Sequence, residues 1–160
     1  MIKKNRNKSL EWLHEQQYIS LDEEIKDATN PVRGIYGIFV NDSEKRCIYV
    51  GRSSSIYDRM FGSDGHITKL KDSRHTSTQL MEAMISGKKI EITILQKIPL
   101  NFDNYYKDMQ RLASAENFYI DFYQNQNQCL EQIPEGTKMS QKEWEAMKNT
   151  SYEKSESCDK

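Results

Sequence analysis

Cysteine, proline and glycine are all scarce in this chain of 160 residues, at three, three and seven. The cysteines, Cys47, Cys129 and Cys158, are an odd number at unrelated spacings. That fits neither a disulfide framework nor a zinc-ligand pattern, and it points to a reducing, cytoplasmic setting. Long apolar runs are missing too, so no stretch has the length of a membrane span and no membrane partner is expected. The start MIKKNRNKSL is basic, but the charged, broken EWLHEQQYISLDEE follows where a signal peptide needs unbroken apolar sequence. Excess charge of one sign is also absent: 23 Lys+Arg against 24 Asp+Glu leave a net −1. A global basic field for gripping nucleic acid is thereby excluded, and a polyanion would have to be met by a local patch. With 36% hydrophobic residues and no internal repeat, the chain is long enough for one compact domain with a modest core.

The apolar periodicity reads in order as strand, strand, helix, helix, strand, helix. Residues 34–40 and 46–51 are two short strands joined by the polar turn 41–45, with apolar side chains on both faces. Tyr36 and Tyr49 can stand on one face of that antiparallel hairpin, and Gly51 ends the second strand where a side chain would block a close approach. A helix follows to Phe61, with Ser53, Ser54 or Ser55 as its N-cap and Ile56 and Met60 one turn apart. The stretch 62–75 reads as a loop or irregular helix. Residues 76–86 form a helix with Leu80, Met81, Met84 and Ile85 inward, residues 89–98 a third strand, and residues 105–123 the longest helix. In that helix Met109, Leu112, Glu116, Tyr119 and Tyr123 share a side.

The lead-in 1–32 is expected to be frayed over 1–8 and then to hold two short helices, capped by Ser9 and by a Ser20/Glu23 capping box. After the main domain, residues 133–136 read as a turn and Ser140 with Glu143 as a capping box for a last helix. The tail from Thr150 is too poor in apolar residues to order itself.

Gly34-Ile35-Tyr36, then Tyr49-Val50-Gly51, then Arg59 eight residues beyond that glycine, and far downstream Glu116, occur in order on fitting elements. Together they resemble the GIY-YIG nuclease family, with Val50 in the isoleucine position. The resemblance spans roughly residues 33–128. It implies an α+β fold, a small three-stranded antiparallel sheet flanked by helices; outside it, 1–32 and 129–160 read from their own residues as short helical extensions. It also implies an endonuclease that hydrolyses phosphodiester bonds in DNA with a divalent metal, magnesium or else manganese. No second DNA-reading module is evident, so a homodimer would be the simple route to cutting both strands.

Hydrolysis of a phosphodiester needs an activated water, neutralisation of charge at phosphorus and help for the leaving oxygen. By resemblance, Tyr36 is the general base or the residue that positions the water, and Tyr49 is its neighbour. Arg59 offers its fork of donors to the phosphate, with Arg52 as a second contact. Glu116 is the metal ligand, since magnesium needs only one or two carboxylates. All four groups are expected to converge around one ion-sized gap. The plainer alternatives are sheet tyrosines filling a half-buried surface, solvated arginines, and a glutamate paired with Arg111 or a lysine.

Where many family members carry a histidine or tyrosine one turn past the arginine, this chain has Ser63. His66 can fill that role through a longer loop, and His75 is the second candidate. Asn127, or else Asn125, matches an asparagine that helps hold the family's site together. Lys69, Lys71 and Arg74, with Lys88 and Lys89, could supply the local positive surface for a phosphate backbone, or could be an ordinary solvated charge run.

Overall fold

The computed structural model describes residues 2–101, 103–133 and 137–156, apart from the side chains of 2–5 and 151–156. Its elements in chain order are α1 (Ile2–Glu15), β1 (Ile19–Leu21), a single 3-10 turn (Glu23–Lys26), β2 (Gly34–Asn41) and β3 (Lys45–Ser53). After these come α2 (Ile56–Phe61), α3 (His66–Lys71), α4 (Thr78–Ile85), β4 (Lys89–Lys97), α5 (Tyr105–Gln124) and α6 (Gln141–Glu156). The class is α+β.

The sheet has four strands, in the order β1-β4-β2-β3, rather than the three that the sequence suggests. β2 lies antiparallel to both β3 and β4, as expected, and β1 adds itself parallel to β4 through Ile19, Ser20 and Leu21 opposite Ile90, Glu91 and Ile92. Period-2 alternation divides β2 between two cores. Tyr36, Ile38 and Val40 face a layer built from α1 to α4, whereas Ile35 and Phe39 face α5. Both faces of the hairpin are thus covered, as its two-sided apolar pattern requires. Leu112 and Ile120 seat α5 on the second face.

The lead-in departs most from expectation. Residues 2–8 belong to α1, and Ser9 sits inside that helix, buried, with its hydroxyl 2.7 Å from the Thr68 hydroxyl of α3. A serine that favours caps in isolation has here found a tertiary partner instead. Ser20 lies in β1, so the cap of the short turn that follows is Asp22. Leu13, Ile19, Leu21 and Ile25 are buried in the same core as Tyr36, so the lead-in is part of the domain's interior.

Other boundaries hold with local corrections. Ser55 is the N-cap of α2, accepting from the Asp58 N–H at 3.2 Å, and Ile56 and Met60 are buried on one face. The stretch 62–75 contains the one-and-a-half-turn helix α3. In α4 Leu80 is buried and Met81 and Met84 pack partly buried against the same core, as expected, with Ala83 buried beside them, while Ile85, the last residue of the helix, is exposed. Met109 of α5 is exposed as well, lying before the turn at which Leu112 first meets the sheet. Ser140 does accept from the Glu143 N–H, at 3.2 Å, and the helix it opens runs on to Glu156, past the point where disorder was expected. Within the expected turn 133–136, residues 134–136 fall outside the described residues, as does Cys158.

Ile25 tests whether the lead-in is structural. Fully buried, it should cost about 2–5 kcal/mol on truncation to alanine, because the cavity adds to the lost transfer energy. Chemical denaturation of Ile25→Ala should therefore show a loss comparable to that of Ile90→Ala in β4.

Candidate active site

Pairing across the hairpin sets Tyr36 opposite Gly51 and Ile38 opposite Tyr49. The two tyrosines are thus diagonal neighbours on one face, with ring centroids 6.1 Å apart. Gly51 is glycine for a steric reason: a Cβ there would collide with the ring and hydroxyl of Tyr36, which passes directly over it. Tyr36 has no exposed surface and Tyr49 is only half-buried.

α2 delivers Arg59 to this pair, where its guanidinium interacts with both phenols. Gly62 stops α2, and the close turn at Gly65, packed on the carbonyls of Arg59 and Met60, starts α3 with His66 as its first residue. His66 Nε2 lies 2.8 Å from the Tyr36 hydroxyl, and its ring stands edge-on to both tyrosines. On its other side, His66 Nδ1 lies 2.9 Å from His75 Nε2. The backbone N–H of Ser77, the N-cap of α4, donates to His75 Nδ1 at 3.0 Å. Four of the residues expected in the site, Tyr36, Tyr49, Arg59 and His66, are thus together, and His75 joins them.

Burial governs the charges in this cluster. It raises the Tyr36 phenol above its ordinary value, with the second phenol beside it acting in the same sense and Arg59 pulling the other way. Burial also lowers both histidines, assisted by the nearby charges of Arg59 and Lys69: His66 to about 3 and His75 to about 4. Desolvation works against the Arg59 charge too, but the two phenols outweigh it and its pKa is raised. At neutral pH the cluster is a protonated phenol, two neutral imidazoles and a cation.

Glu116 does not join this group. It projects from α5 between Leu112 and Ile120 and is paired with Arg52 at 2.7 Å, on the α5 side of the sheet, whereas Tyr36 and Tyr49 face the other side. The expected convergence on one gap is therefore divided. The helical period of α5 placed Glu116 correctly on the buried side of its own helix, but it carried no information about which sheet face that helix covers. Arg52 is accordingly a partner of Glu116, in place of Arg111 or a lysine.

The remaining expected contacts fare differently. Asn127 is exposed in a left-handed turn just past α5, and Asn125 caps that helix. The side chains that tie this segment to the hairpin are Gln128, accepting from the Cys47 N–H at 2.6 Å, and Gln132, which bonds both backbone groups of Val50. Lys71 pairs with Asp72, Arg74 with Asp64 and Asp72, Lys88 with Asp42 and Lys89 with Glu91. This run is a mixed-charge network, as its interleaved aspartates require, and only Lys69 has no ion-pair partner among the described residues. Arg6, which nothing in the sequence singled out, is carried by α1 into a groove it shares with Ser53, Arg59, Ser63 and Gly65, and it pairs with Asp58 at 2.8 Å.

No protein-family model, curated protein or solved structure matches the chain.

The histidine pair makes a prediction about acid stability. A histidine titrates near 6.5 when unfolded, and these two do so only near 3 and 4 when folded, so between those limits the unfolded chain binds more protons. Stability should be full above about pH 6.5 and fall as pH drops toward 4 and below. Urea midpoints measured from pH 7.5 to 4 should show this fall, and His75→Gln should make it shallower.

Proposed function

We propose that the chain is a metal-dependent endonuclease that hydrolyses phosphodiester bonds in DNA, in the manner of the GIY-YIG family it resembles. The observation that supports this most is the meeting of Tyr36, Tyr49, Arg59 and His66 at Gly51. A sheet that needed two tyrosines only as filler would not also draw in a guanidinium and an imidazole from two successive helices. Arg59 would face the phosphate, where a planar fork of donors suits non-bridging oxygens. Tyr49 is the phenol that substrate can reach, with Tyr36 behind it. Because burial keeps Tyr36 protonated, its part is to hold and orient rather than to remove a proton from water.

Among the described residues no three acidic, histidine or cysteine side chains cluster as a metal site. Glu116 alone is still an acceptable donor for magnesium or manganese, which take one or two carboxylates and complete their shells with water and phosphate oxygens. Arg52 and a divalent cation would be alternative partners for that carboxylate. When bound, the cation would supply Lewis-acid stabilisation of the charge developing on the phosphate and leaving oxygen. β3 is the edge strand, so the two faces of the sheet meet at its margin, and the cover provided by Gln128 and Gln132 reaches only to Val50. The stretch Gly51–Ser53 is where a phosphodiester could meet Arg59 and Tyr49 from one side and Glu116 from the other. A homodimer in the cytoplasm, each copy cutting one strand, would complete this reading.

The division between Glu116 and the phenols favours a second reading, a nucleic-acid-binding module of the same fold without catalysis. One experiment separates the two. Purified protein is incubated with supercoiled plasmid, with magnesium, manganese or chelator, beside Arg59→Ala and Glu116→Ala. Nuclease action should nick or linearise the plasmid with either cation, stop with chelator, and fall at least about 100-fold in both variants, the scale of losing a transition-state charge contact. Plasmid retardation that survives chelation and Glu116→Ala, with no cleavage in any cation, would establish the binding module instead.

A further inference from the structure

The cluster contains a hydrogen-bond chain whose direction can be worked out from one end. A backbone N–H can only donate, so His75 Nδ1, 3.0 Å from the Ser77 N–H, must be the acceptor nitrogen of a neutral ring. The proton of His75 is then on Nε2, which donates to His66 Nδ1 at 2.9 Å. With Nδ1 accepting, His66 carries its own proton on Nε2 and donates it to the Tyr36 oxygen at 2.8 Å. Tyr36 thus receives its hydrogen bond from His66, and its own hydroxyl hydrogen points away from that ring. The rings of the two histidines lie within 24° of parallel, which keeps their nitrogens aligned for this hand-over.

We infer that Ser77, His75 and His66 form a one-way relay ending on Tyr36, so that the buried Tyr36 hydroxyl is held in one orientation and His75 is a positioning residue for it. The inference rests on the nuclease reading for its consequence in catalysis, but the relay itself does not. His75 is nine residues from His66, and its contact with the rest of the cluster is through the His66 ring. Its effect is to lock the tautomer of His66, which otherwise could turn its proton away from Tyr36 and leave that buried hydroxyl to donate backwards. The charged groups acting on the imidazole pair are Arg59 from α2 and Lys69 from α3, and both oppose protonation of either ring, so the tautomers hold across neutral pH.

Two measurements on the full chain test this, one of them independent of activity. Long-range nitrogen–proton NMR of the histidine side chains should find both His66 and His75 protonated on Nε2 at pH 7. A proton on Nδ1 of either would overturn the relay, whether or not the protein cuts DNA. In plasmid or oligonucleotide cleavage, His75→Phe should lower kcat by about 10- to 100-fold, the usual scale for groups that orient a ligand from behind, with KM unchanged. His75→Gln, which keeps one donor and one acceptor, should restore most of it, and His75→Phe should add nothing in a Tyr36→Phe background. An unchanged kcat in His75→Phe, or an independent loss in the double variant, would refute the positioning role. Should the wild type cut nothing in any cation, the nuclease reading and the positioning role both fall, and the NMR result alone decides whether the relay exists.

Discussion

The passage of the Tyr36 phenol over Gly51 is the constraint that arranges the rest of the helical layer. A hydroxyl carried into the interior must be hydrogen-bonded, since leaving it unpaired would cost about 1–3 kcal/mol. Tyr36 has no exposure at all, so its partner has to come from the protein, and His66 is brought to it at 2.8 Å. That demand propagates: His66 is itself buried and needs a second partner, which is His75, and His75 in turn accepts from the backbone N–H of Ser77, the N-cap of α4. The seat of α3 follows from the same need. Gly65 allows the chain to press against the end of α2, and the Ser9–Thr68 bond clamps α3 from the side of α1.

Charge is arranged in a comparably economical way. A chain with almost no net charge places acids among its bases, and Lys71 and Arg74 are neutralised by Asp64 and Asp72. Exposed pairs of this kind contribute little to stability, about 0–1 kcal/mol each, but they remove the run as a broad phosphate-binding surface. The cations in a different situation are Arg59, desolvated against two phenols, and Arg52, held by the half-buried Glu116. Both are attached to the few residues between Gly51 and the end of α2, so the positive charge that could act on a phosphate is concentrated where the hairpin meets its first helix.

Much of this was legible in the sequence because it depends on local period. Two apolar runs around a polar turn in 34–51 and alternation in 89–98 gave three strands, and three- and four-residue steps gave α2, α4 and α5. The diagonal placement of Tyr36 and Tyr49 follows from hairpin register alone. The start of α1 and the whole of β1 were not legible, because their burial is decided by partners far away: Ser9 looks like a cap until Thr68 is beside it, and the three residues of β1 are too few to show alternation. The face occupied by Glu116 was hidden for a related reason. A helix pattern tells which residues turn inward and is silent on the side of the sheet toward which inward points. His75 could be seen as a candidate, yet its bond to the Ser77 backbone depends on how α4 begins.

That division between sheet faces bears directly on what the molecule could do. Groups on opposite faces of a β-sheet are kept apart by the backbone and by the side chains that alternate between the faces, except at an edge, where the backbone is the only barrier. In this fold the hairpin's second strand is the edge, Gly51 has no side chain to thicken it, and Arg52 is the next residue along. On the proposed reading, a phosphodiester lying along that margin would need no convergence inside a single pocket. Arg59 and Tyr49 would hold it from the helical face, and a cation on Glu116 would approach from the α5 face once Arg52 exchanged the carboxylate for the phosphate. An extended nucleic-acid backbone suits such a margin better than a compact small molecule does, because it can present successive oxygens to the two sides.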